Sequence, residues 1–134
     1  MEQTELLRDL VEELWERRSN NETILRLKAI YGDELHIERT SAPPTVWMRY
    51  YVTTAGDKLV KDLELLLIIA EEDRWIPSEF YRANTGRHVY IQVNPVTGER
   101  MLVDPVNQRA CADYCDGWSC HLREQDWLVK GVSV

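Results

Sequence analysis

Lys58-Leu-Val-Lys-Asp-Leu-Glu-Leu-Leu-Leu-Ile-Ile-Ala-Glu-Glu-Asp73 admits two conformations, and each implies a different fold. Leu59, Val60, Leu63, Leu66 and Leu67 recur at helical spacing behind Asp57, a suitable N-cap, whereas Leu65 to Ile69 equally suits a buried strand. Length favours the helix, because about 15 residues without Gly or Pro exceed the usual strand of roughly 5 or 6. The expectation is a helix, entered after Thr54-Ala55-Gly56-Asp57 and broken at Arg74-Trp75-Ile76-Pro77.

Upstream, Leu35 and Ile37 alternate with His36 and Glu38, and Val46 to Val52 is rich in β-branched and aromatic residues. Ser41-Ala42-Pro43-Pro44 connects the two as a hairpin. Further back, Leu6, Leu7, Leu10, Val11, Leu14 and Trp15 share one helical face, with Thr4 placed to cap the first turn. Ser19-Asn20-Asn21-Glu22 has capping-box spacing and predicts a second helix whose apolar face is Ile24, Leu25, Leu27, Ile30 and Tyr31, closed by Gly32. An α-hairpin and one bent helix both fit. Downstream, His88 to Asn94 alternates and turns through Asn94-Pro95-Val96-Thr97-Gly98 into Met101-Leu102-Val103, a second hairpin. The tail from Gln108 reads as a short helix, a break at Asp116-Gly117, and a last helix from Ser119 through Trp127 and Leu128. The architecture expected is α+β: N-terminal helical segments, an antiparallel sheet of about four strands in two hairpins, and short C-terminal helices. With no internal repeat, low-complexity tract or linker, residues 1–134 read as one domain.

The 134 residues carry 16 Lys and Arg against 23 Asp and Glu, a formal net charge of −7, and 44% are apolar. That is ample material for a core and argues against disorder. The longest apolar run, Leu65 to Ala70, is far short of the roughly 20 residues of a membrane helix, and the acidic N-terminus is unlike a secretory signal. A soluble, cytoplasmic protein is expected, without membrane association. Absence of a basic cluster argues against general nucleic-acid binding, whose affinity comes from neutralising phosphates. Six acids lie between Glu2 and Glu16 and six between Asp57 and Asp73, so the excess marks a docking face for a partner with a basic groove, nucleic-acid mimicry included.

All three cysteines lie in Cys111-Ala-Asp-Tyr-Cys115-Asp-Gly-Trp-Ser-Cys120-His121. On a helix, Cys111 and Cys115 share a face one turn apart, and a reversal at Gly117 would return Cys120 and His121 to them. Three thiolates and an imidazole are a recognised structural set for zinc, so Cys111, Cys115, Cys120 and His121 are the candidate metal ligands. The spacing differs from paired C-x2-C, and three other readings stand beside it: small buried hydrophobes, a Cys115–Cys120 disulfide, or a nucleophilic thiol with His121 or His88 as base. His36 and His88 alternate with apolar neighbours, which puts both on the solvent side of a half-buried sheet. Phosphate-loop, G-x-S-x-G, H-E-x-x-H and EF-hand motifs are absent.

Glu22 to Leu35, with Ile30-Tyr31-Gly32, resembles the opening helix and turn of RWD domains, relatives of the ubiquitin-conjugating fold. The resemblance implies a helix leading into a meander. It also implies a binding-only relative, because Met101 or Leu102 stands where a conjugating cysteine would. Trp47, Tyr50, Tyr51, Trp75, Phe80, Tyr81, Trp118 and Trp127, with Arg49, Arg74, Arg82 or Arg87 beside them, supply either a Trp-rich core or a protein-binding patch. Function is therefore expected to be that of a small acidic interaction module, adaptor or inhibitor-like and without catalysis, its Cys/His cluster suited to zinc. The alternative is a thiol-dependent enzyme using a cysteine of residues 111–121.

Overall fold

In the computed structural model, which describes residues 1–18, 24–29, 32–41, 43–56, 58–124 and 132–133, the decisive stretch is a strand. The elements run α1 (Glu5–Arg18), β1 (Ile24–Lys28), β2 (Glu34–Ser41), β3 (Pro44–Thr53), β4 (Leu59–Ala70), a 3-10 turn (Glu71–Asp73), β5 (Arg74–Arg82), β6 (Gly86–Val89), β7 (Ile91–Val93), β8 (Arg100–Leu102), α2 (Pro105–Glu124) and β9 (Val132–Ser133). From β1 to β6 each strand pairs antiparallel with its chain neighbour, and β9 adds to the β1 edge, giving the order β6-β5-β4-β3-β2-β1-β9. β7 and β8 form a separate two-stranded sheet. Among the described residues the molecule is thus mostly β, with one α-helix before the meander and one after it. The expected α+β arrangement, with about four strands and helices grouped at both ends, is overturned.

Three local readings account for the difference. β4 lies between β3 and β5, with Leu63, Leu65 and Leu67 buried on one side and Ile68 on the other. A strand filled on both sides does not alternate, so its apolar run imitates a helix. Its twelve residues accommodate register irregularities opposite Tyr50/Tyr51 and at Leu66/Leu67. Pro77 pairs with Leu67 at the second, where a missing amide is tolerated, so Arg74 to Pro77 continues the sheet instead of interrupting it. In β1, buried Leu25 and Leu27 alternate with exposed Arg26 and Lys28 and pair with Ile37 and Leu35. The second helix, and with it the segment on which the RWD resemblance rests, is therefore a strand where the structure describes it. The capping box at Ser19 to Glu22, Ile30, Tyr31 and the Asp57 cap lie outside the described residues.

α2 runs unbroken through Gly117, so the break expected at Asp116-Gly117 is absent. Asp104 caps it, its Oδ1 accepting from Asn107 N at 3.2 Å and its carbonyl from Gln108 N at 2.9 Å, with Pro105 in the first turn. Gln108, Cys111, Ala112, Cys115, Ser119 and Leu122 form its buried stripe, and that burial outweighs the roughly 1 kcal/mol helical cost of glycine. Trp127 and Leu128 lie outside the described residues. In α1, Leu7, Leu10, Val11 and Leu14 are fully buried, on the face the periodicity picks out. Thr4 does not cap it with its hydroxyl, which donates to the Trp75 carbonyl at 3.1 Å. Asp116 of α2 does so instead, its Oδ1 accepting from Leu7 N at 3.2 Å. Both helices pack on the side of the sheet that carries Leu35, Ile37, Met48, Leu65 and Leu67. No helix among the described residues is long and apolar enough to cross a membrane.

Candidate functional site

The helix turns Cys111 and Cys115 inward and Cys120 and His121 outward. Cys111 and Cys115 are buried with their sulfurs 3.9 Å apart, whereas Cys120 and His121 are exposed. The reversal that would unite all four does not occur, and no group of three or more His, Cys, Asp or Glu side chains suited to a metal forms among the described residues. All three cysteines are free thiols.

Cys111 has company of another kind. It forms the floor of a cavity of about 330 Å³ with Phe80 and Tyr90, all three buried, while Thr85, His88, Asn107, Ala110 and Tyr114 form its exposed rim. β6 pairs His88 with Phe80, which puts the imidazole on the helix side of the sheet and not on the solvent side expected from alternation. The Cys115 thiol and then the Tyr90 hydroxyl hydrogen-bond to the Cys111 sulfur, and together they outweigh burial and hold its thiol below the usual range. Donation to Cys111 together with burial pushes Cys115 well up. Burial, with Cys111 beside it, pushes Tyr90 up as well. Cys111 is therefore the more acidic thiol of the pair and the one that faces the cavity.

The opposite side of the sheet carries no helix among the described residues. Its centre is Glu64 on β4, only 5% exposed. Arg49 Nε donates to Glu64 Oε2 at 2.6 Å, Arg87 donates to Oε1, and Lys61 lies at 3.5 Å. Burial alone would push this carboxyl up, but hydrogen bonds from Arg87 and Arg49 and the charge of Lys61 outweigh it and leave it below the ordinary value. Arg49 reaches Glu38 at 3.3 Å and Arg87 reaches Glu79 at 3.7 Å, so the network crosses from β2 to β6. Aromatic rings lie within it: Arg49 is 5.1 Å from the Trp47 ring centre, and Lys61 and Arg87 are 5.0 and 5.5 Å from that of Tyr81. His36 bonds Glu34 at 2.9 Å and lies 4.7 Å from the Tyr51 ring.

The other aromatics divide differently. Trp75 is 1% exposed in the core, and Trp118 packs against that core edge-on to Tyr50 at 6.2 Å. The acids also separate: Glu64 is neutralised in the network, whereas Glu71, Glu72 and Asp73 lie exposed in the 3-10 turn, where Asp73 Oδ1 accepts from the Trp75 indole nitrogen at 3.0 Å. The second acidic group is thus a strand and a turn, not a helical surface. Compared with known proteins, the chain matches no family, no characterised relative and no solved structure.

Proposed function

We propose that the chain is a protein-interaction module whose docking surface is the side of the sheet around Glu64. One observation supports this reading above the others: Trp47, Tyr51 and Tyr81 lie half-buried there among arginine and lysine side chains that Glu64 already holds in place. Trp, Tyr and Arg dominate binding hot spots, and side chains ordered before association lose little further freedom. Arg26, Lys28, Arg49, Lys61 and Arg87 share this side with Glu34, Glu38, Glu64 and Glu79. Such mixed charge suits a protein surface bearing both signs and opposes a polyanion. A partner with a basic groove suits α1 and the 71–73 turn instead.

The test is comparative affinity capture from the source cell extract, followed by titration of the captured protein. Trp47→Ala and Tyr81→Ala each weaken binding about thirtyfold or more, the size of a hot-spot truncation. Glu5→Ala, on the exposed side of α1, leaves it unchanged. Retention of every captured protein by both aromatic variants would remove this surface from consideration.

A further inference from the structure

The cavity above Cys111 has no part in that docking surface, because it lies on the helix side of the sheet. Its volume of about 330 Å³ falls at the lower end of the range for small-molecule sites. Phe80 on the floor and Tyr114 on the rim meet edge to face at 5.4 Å and make the lining aromatic and apolar, a setting that suits a small unsaturated ligand. Arg82 stacks on Tyr114 at 5.4 Å and steadies that ring. His88 stands on the rim, where Asn107 is held by Asp104, to whose Oδ2 its Nδ2 donates at 2.8 Å, and on the floor the Cys111 sulfur lies 3.9 Å from that of Cys115. A buried cysteine serving only as filler needs no such opening beside it.

We propose that this cavity binds a small, flat, conjugated carbonyl compound and that Cys111 adds to it as the nucleophile. The sulfur forms a bond to the β-carbon, and the electron pair of the carbon–carbon double bond moves onto the carbonyl oxygen as an enolate. The proton lost from the thiol then returns to the α-carbon. The product is the sum of thiol and ligand, and nothing is oxidised or reduced. A ring N–H of His88 on the rim is the donor offered to the negative oxygen that forms on the way, and sulfur is the side-chain nucleophile best matched to such a carbon.

N-ethylmaleimide, itself a small flat conjugated carbonyl compound, is the probe, applied to the intact chain with labelling rates read at each cysteine by peptide mass spectrometry. Exposed Cys120 is the internal reference. Cys111, though only 5% exposed, labels about tenfold faster than Cys120. Tyr90→Phe slows Cys111 several-fold and leaves Cys120 unchanged. Because Tyr90 is itself buried, a second variant is needed that leaves the core alone: Ala110→Trp, at an exposed helical position on the rim, fills the cavity and abolishes the preference. The proposal is overturned if Cys111 labels no faster than Cys120, if Ala110→Trp leaves its rate intact, or if the rate climbs with mild urea, the mark of labelling through local unfolding.

Discussion

Gly32 and Gly117 demand opposite things of the residue that occupies them. Gly32 has φ +105°, and a Cβ there would meet Thr53 Oγ1 at 2.9 Å. The close approach arises because Asp33 ties the β1–β2 turn to β3, its Oδ2 accepting from the Tyr50 hydroxyl at 2.9 Å and its Oδ1 from Thr53 N at 3.0 Å. Gly117 lies inside α2 with open space where a Cβ would go. Gly32→Ala therefore lowers stability by about 1–3 kcal/mol, and Gly117→Ala raises it by about 0.5–1 kcal/mol. Urea unfolding of the two variants reads both signs, and a Gly117→Ala protein less stable than the wild type would contradict an unbroken α2. From the sequence both glycines read as helix punctuation. Only the paired strands around Gly32 and the buried stripe flanking Gly117 distinguish them.

Among elements, α1 depends on α2 for its N-terminal cap. Asp116→Ala removes the acceptor for Leu7 N and lowers stability by about 1 kcal/mol, while Asp116→Asn keeps an oxygen there and unfolds close to wild type. Amide exchange at Leu7 should quicken in the alanine variant; unchanged protection would mean that the cap lies elsewhere. α1, the β2–β3 hairpin and the Asn94–Gly98 turn were legible because each is specified by its own residues: one apolar face, one alternation, one Asn side chain accepting from Val96 N at 2.8 Å. β1 and β4 were not, since Leu25 or Leu65 fits a helix or a strand until a neighbouring strand claims its backbone. The candidate site divides in the same way. Clustering of the cysteines was visible along the chain, but the direction of each thiol followed from an unbroken α2. Likewise, the placement of His88 at the rim of the cavity that Cys111 floors followed from the register with Phe80. Asp104-Pro105 was the missed signal, a cap and first-turn proline that announce where α2 begins.

For the whole molecule, the network around Glu64 links the central strands and sets a response to acid. Its folded carboxyl titrates below the unfolded one, so its contribution is complete above the unfolded value of about 4.3 and is lost as pH falls through the lower folded value. Glu64→Gln is accordingly less stable than wild type at neutral pH, by about 1.5–3 kcal/mol, the worth of hydrogen bonds to a charged group. The gap closes in acid, as urea midpoints measured across that range will show; a gap independent of pH would argue that Glu64 is not held by these cations. The meander and the cap of α1 also have a consequence for the order in which the chain is made. On the ribosome every strand from β2 to β6 emerges to find its partner already synthesised, so the sheet can zip up in step with translation. The Leu7 amide must wait for Asp116, 109 residues later, and so the helix made first is among the last elements to be completed.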